Sequence, residues 1–130
     1  MSVVDRGSGE TLAHIPIGIG PLGASVTRDA ARVLVACHNA NEVAILDAAA
    51  QAVEAVVPTD AGPVQVSVAP DQAFAYVAND GAGTVQKIDL AAHAVVATIP
   101  IGASAGSHGI AFAPAARLMF VTNTGRASNR

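Results

Sequence analysis

Apolar and polar residues alternate in short runs along this chain, and the runs are broken at regular intervals by Gly, Pro, Asp and Asn. Between residues 62 and 99 the alternation defines four segments. Val64, Val66 and Val68 point one way and Gln65 and Ser67 the other, a period of two that predicts a strand. Ala69-Pro70-Asp71-Gln72-Ala73 reads as a turn, because Pro fixes φ and the Asp side chain caps a bend. Phe74-Ala75-Tyr76-Val77-Ala78-Asn79 predicts the second strand. A Gly-rich stretch, Asp80-Gly81-Ala82-Gly83, leads into a third over Thr84-Val85-Gln86-Lys87-Ile88, ended by Asp89. A turn over Leu90-Ala91-Ala92-His93 precedes the fourth, Ala94-Val95-Val96-Ala97-Thr98-Ile99. Four strands joined by short turns make an antiparallel meander.

The same pattern recurs. Asp5, Asp47 and Asp89 are spaced by 42, and so are Pro16, Pro58 and Pro100, each behind an aliphatic residue. A period of this length implies stacked or radial units, none of which buries its own apolar face. The repeated Pro falls near the end of the fourth strand, and a strand carrying Pro should lie at an edge. Each unit therefore reads as one blade of a β-propeller. The expected fold is all-β: about three four-stranded antiparallel blades in a single partial domain over 1–130. Met1 aligns with Val43 and Val85 at the start of the third strand. This predicts a half blade over 1–18, whole blades over 19–60 and 61–102, and a half blade over 103–130.

Three blade equivalents do not close a ring, since propellers use about 4–8 blades. An open blade face measures about 19 Å by 18 Å from strand spacing and rise. Two such faces expose about 700 Å², at the upper end for a lone soluble chain. The expected partner is a second copy, with Phe120-Val121-Thr122 beside Ser2-Val3-Val4, or the remainder of a longer propeller.

Composition narrows the core and the partners. Hydrophobic residues make up 52% of the chain but aromatics only 3%, so Val, Ile, Leu and Ala must fill the space between sheets. The net charge is −3 and the seven basic residues are scattered, which argues against a nucleic-acid partner. No run approaches the ~20 apolar residues of a membrane-spanning helix, and Met1 to Gly9 lacks the apolar run of a signal peptide. One cysteine, Cys37, excludes an intrachain disulfide.

Tyr76-Val77-Ala78-Asn79 and Phe120-Val121-Thr122-Asn123 are close to the Tyr-Val-Thr-Asn core of the YVTN-type β-propeller repeat. Ala69-Pro70-Asp71, Val85-Gln86-Lys87-Ile88-Asp89 and Val96-Ala97-Thr98-Ile99-Pro100-Ile101-Gly102 resemble its flanking segments. The first copy departs, with Cys37 where the motif has Asn. The resemblance covers nearly the whole chain. It implies a bacterial periplasmic or surface protein serving as a binding or scaffolding module for a protein or small molecule. It also implies an alternative: a lactonase-like hydrolase, or a metal-dependent propeller of redox enzymes using histidines on one face.

Candidate chemistry is sparse. Gly102-Ala103-Ser104-Ala105-Gly106 matches G-x-S-x-G, but a strand follows where a nucleophile elbow needs a helix, so it reads as an insertion of small residues. His108 aligns with Leu22 and Val64 at the start of the innermost strand, beside the expected central channel. His38 sits in a loop on the same face of the disc. His108, His38, Ser107 and Asn39 are the candidate ligand-binding residues, and His108 the candidate metal ligand. Imidazoles there can hold a divalent metal or act as a base, although a metal site takes three or four ligands. No other cofactor is evident, and no catalytic residue is assigned. His14 and His93 read as solvated, and Cys37 as a half-buried small residue. Asp5, Asp47 and Asp89 are expected to close Asx turns.

Overall fold

The computed structural model describes residues 1–102 and 106–124. Twelve strands appear among them, in the order β1 (Ser2–Val4), β2 (Thr11–His14), β3 (Pro21–Val26), β4 (Arg32–Cys37), β5 (Glu42–Asp47), β6 (Ala52–Pro58), β7 (Pro63–Val68), β8 (Phe74–Asn79), β9 (Thr84–Asp89), β10 (Ala94–Pro100), β11 (Ser107–Ala113) and β12 (Leu118–Asn123). Short 3-10 turns over His38–Ala40 and Pro114–Ala116 follow β4 and β11. Every pairing is antiparallel. Two four-stranded meanders, β3-β4-β5-β6 and β7-β8-β9-β10, are flanked by the pairs β1-β2 and β11-β12. The innermost strands β3, β7 and β11 adjoin one another in sequence, which arranges the sheets around a common axis. The fold is an all-β propeller segment, as the alternation predicted.

The repeat fixes local geometry as well as strand number. Asp5 Oδ1 accepts from the amides of Gly7 and Ser8, Asp47 Oδ1 from Ala50, and Asp89 Oδ1 from Ala91 and Ala92. These are the Asx turns that fold strand three back onto strand four. Gly9, Gln51 and His93 occupy equivalent places in those turns and share φ of 75°, 52° and 53°. Left-handed backbone suits Gly and strains the other two. Pro58 and Pro100 end the edge strands β6 and β10, where a missing amide costs no ladder bond. Pro16 departs from that expectation, because β2 stops at His14.

The main core lies between the two complete sheets. Leu34, Ala36, Val43, Ile45 and Val57 of one meet Val66, Ala75, Val77, Ile88 and Leu90 of the other, all buried. A second cluster joins Ile15 to Val35, Cys37, Ala44 and Leu46, with Met1, Val3 and Ile17 packed against it. Each blade thus contributes one apolar face to each neighbour. Cys37 is fully buried rather than half-buried, because its strand is central and covered on that face.

Candidate functional site

A meander with short turns brings alternate loops to the same end of the molecule. The β4–β5, β6–β7 and β8–β9 loops meet at one end, where β10 also ends and β11 begins. One backbone clamp recurs at this end. The amide of His38 donates to Gly20 O, that of Asp80 to Gly62 O, and that of Thr124 to Gly106 O, at 2.8, 2.8 and 2.9 Å. The three glycines have φ of 69°, 72° and 56°, a conformation that lets the loop carbonyl turn toward the neighbouring strand. His38, Asp80 and Thr124 are therefore one repeat position, held at the same height in successive blades while their chemistry varies.

A groove of 440 Å³ runs between the first two of these positions, lined by His38, Asn39, Asn41, Ala61, Gly62, Asp80 and Gly81. Its floor is backbone, because a Cβ on Gly62 would lie 2.8 Å from Gly81 N and one on Gly81 would lie 3.0 Å from Ala61 O. Asn41 braces the wall by accepting the Gly62 amide at 2.9 Å. His38 Nδ1 lies 3.1 Å from Asn39 Oδ1. Asp80 makes no side-chain hydrogen bond among the described residues.

His108 reaches the same carboxylate from β11. Ser107 faces Asn123 and Ile110 faces Val121, so His108 and Gly109 share one opposing residue, Thr122, and form a β-bulge. The Gly109 amide donates to Thr122 Oγ1 at 2.7 Å. Bulges re-aim side chains, and here His108 Nε2 comes to 3.6 Å from Asp80 Oδ2, both side chains about two-fifths exposed at 41% and 37%. That spacing exceeds a hydrogen bond. Two imidazoles, one carboxylate and two carboxamides thus share one face and offer donors and acceptors to a third group. Among the described residues no set of three His, Cys, Asp or Glu side chains converges as metal ligands would.

The remaining sequence candidates separate from this face. Ser107 is fully buried, and its Oγ has no partner among the described residues. Ser104 of the G-x-S-x-G stretch lies outside the described residues. Burial pushes the Cys37 thiol above its usual range, which makes it a poor nucleophile. His14 is exposed, 3.1 Å from Ser2 Oγ. His93 is not the solvated residue expected: its turn leans over the first complete sheet, placing Nε2 3.6 Å from Glu54 Oε1.

Two arrangements were not foreseen. The first is a polar network at the contact between the two complete sheets. Asn79, fully buried, donates from Nδ2 to Thr84 Oγ1 and Gln86 Oε1. Gln86 also accepts the Asp60 amide and donates to Thr98, while Thr84 donates to Asp60 Oδ2. One repeat earlier these positions are Cys37, Ala44, Val56 and Gly18. Asn79, Gln86, Thr98 and Asp60 all give way to apolar residues or Gly in that repeat, while Thr84 gives way to Glu42, and comparing the repeat columns would have found the change. The second is a charged groove of 640 Å³ at the opposite end, lined by Thr27, Arg28, Asp29, Arg32, Glu54 and Gln72 among others. Its groups already satisfy one another. Arg32 grips Glu54 through Nε and Nη2 at 3.0 and 2.9 Å, while the Arg28 backbone amide donates to Gln72 Oε1 and its Nη2 to Pro70 O. Thr27 donates to Asp29, whose carboxyl is held below the usual carboxylate range by that bond and by the Ala31 amide. This groove stitches blade to blade.

No family model and no curated protein matches the chain. Among solved structures, hydrazine synthase from Kuenenia stuttgartiensis matches with a TM-score of 0.89 over 98% of this chain, at 19% sequence identity. The chain spans 36% of that structure's length. At this identity the likeness carries the fold and nothing further.

Proposed function

We propose that this chain is a YVTN-type propeller segment acting as a binding module, with the face formed by His38, Asn39, Asp80 and His108 as its binding surface. The ligand class is a small polar molecule, or a polar group of a protein, able to donate to the Asp80 carboxylate and accept from His38 or Asn39. One observation carries this reading. The polar groups on this face keep capacity for a further partner, whereas those of the charged groove are spent on each other. The Tyr76-Val77-Ala78-Asn79 segment, which lies within β8, supports the family reading. The His108–Asp80 pair offers a divalent cation two donors where tight sites use three or four, so zinc would be held weakly.

The test is an NMR titration of the isotope-labelled chain with sugars, amino acids and short peptides, one at a time. Amide shifts gathered at 38–41, 61–62, 80–81 and 108–109 support the reading. Shifts gathered at 27–32, 54 and 72, or no specific shifts from any probe, overturn it.

A further inference from the structure

The tautomer of His38 decides which ligands the groove between His38 and Asp80 can take. His38 Nδ1 lies 3.1 Å from Asn39 Oδ1. A carboxamide oxygen only accepts, so Nδ1 carries the proton and, in the neutral imidazole, Nε2 presents a lone pair. Nε2 makes no hydrogen bond among the described residues. It stands over Gly62, where a Cβ would come to 3.3 Å from it and 2.8 Å from Gly81 N. The imidazole and the residue after Asp80 thus flank one narrow stretch of backbone floor.

Asp80 supplies a second acceptor beside the first. His108 Nε2, at 3.6 Å from Asp80 Oδ2, is too far to occupy it with a hydrogen bond. No Lys or Arg among the described residues offsets its charge at this end. Arg6, Arg28 and Arg117 lie in turns at the opposite end, Arg32 opens β4 there, and Lys87 sets Nζ 3.9 Å from the centre of the Phe74 ring, where β8 begins. One donor stands nearby. Asn39 is exposed, and its Nδ2 makes no hydrogen bond among the described residues.

We infer that the groove takes a small primary amine with an oxygen acceptor close to its nitrogen, as in an amino acid amide or an amino sugar. The ammonium group donates to the Asp80 carboxylate and to His38 Nε2, and the ligand oxygen accepts from Asn39 Nδ2. This ligand class rests on the binding face proposed above and narrows it, giving His38 the part of acceptor and Asn39 that of donor. An ammonium brings three N–H donors, no acceptor and a positive charge, which matches two adjacent acceptors of which one is anionic. Its hydrogen bonds to a carboxylate are charge-assisted, and a neutral hydroxyl or amide in the same place forgoes that strength.

The test is an NMR titration of the isotope-labelled chain at pH 7.0 with two pairs of probes, glycinamide against N-acetylglycinamide and glucosamine against N-acetylglucosamine. Acetylation removes the charge and two of the three N–H donors while keeping the oxygens. At least one amine should shift the amides of 38–41, 61–62 and 80–81 and bind about tenfold or more tightly than its acetylated partner. Asp80→Asn should erase that preference. A long-range proton–nitrogen correlation spectrum of the free chain should place the His38 proton on Nδ1. An acetylated probe that binds at these amides as tightly as its amine would overturn the amine proposal and leave the binding face standing. So would a His38 proton on Nε2, or a preference that survives in Asp80→Asn. No shift from either amine would overturn it too, and the wider set of probes then judges the binding face alone. Amine shifts gathered at 27–32, 54 and 72 would overturn both.

Discussion

Leu34→Ala probes the contact on which the stacked arrangement depends. Leu34 is fully buried in the cluster shared by the two complete sheets. Its strand is paired on both sides, to β3 and to β5, so the backbone has little freedom to collapse into the space left behind. Leu-to-Ala changes in cores cost about 2–5 kcal/mol, more where the site cannot relax, which places this one at about 3–4 kcal/mol. Against a total stability of about 5–15 kcal/mol this is a large fraction, and it corresponds to a Tm lower by about 10–18 °C for a chain of this size. The assay is urea unfolding at one fixed protein concentration, followed by far-UV circular dichroism, with the loss read from the midpoint at unchanged m. Phe120→Ala is the matched partner. With β12 uncovered it should cost well under 1 kcal/mol, and with β12 covered by a second copy about 3–5 kcal/mol. A Leu34→Ala loss below about 1.5 kcal/mol would refute the reasoning, since it would show that the blades do not share a core at this point.

Four further outcomes follow from the same geometry. Asp89→Ala should destabilise by about 1–2 kcal/mol through two lost backbone bonds, and Asp47→Ala by about 1 kcal/mol through one; Asp89→Asn, which keeps the acceptor, should stay near wild type in the same urea assay. Gln51→Gly should stabilise by about 0.5–1 kcal/mol, because it relieves a left-handed residue at the place where the first repeat already has Gly9. Cys37 should react slowly with a thiol reagent at pH 7.5 and rapidly in urea. Its thiol is raised by desolvation, so its contribution to stability is present below the unfolded value near 9.0 and is lost as pH rises through the higher folded value. Asp29 runs the other way: held below 3.8 by Thr27 and the Ala31 amide, it stabilises the fold above that pH and stops doing so on acidification, and Asp29→Asn should flatten that acid limb in a thermal scan.

Most of the fold could be read from the residues because local rules and the repeat agreed. Strand β8 begins and ends where the alternation set it, at Phe74 and Asn79. The Asp turns and the edge prolines on β6 and β10 follow from side-chain capping and from the missing proline amide, both local effects. Contacts between blades were less legible. His93 reads as solvated in the sequence because nothing in its own turn shows that Glu54 of another sheet lies alongside. Asp80 looks like an ordinary turn residue in the sequence. Only the repeat alignment of His38, Asp80 and Thr124, each donating to an equivalent glycine, singles the position out. The bulge at His108 and Gly109 depends on pairing register, which the alternation alone does not specify.

The claim that one end of the arc binds while the other end holds blades together separates into opposite behaviours of two variants. Asp80→Asn removes a half-exposed carboxylate with no side-chain hydrogen bond among the described residues, and Arg28→Ala removes the Nη2 bond to Pro70 O. The decisive measurement is the affinity of the best-bound NMR probe for each variant, with Tm recorded on the same samples. The account predicts that Asp80→Asn weakens binding tenfold or more, about 1.4 kcal/mol, at unchanged Tm, while Arg28→Ala lowers Tm and binds as wild type. Unchanged affinity in Asp80→Asn together with lost affinity in Arg28→Ala would contradict it and move the binding surface to the charged groove.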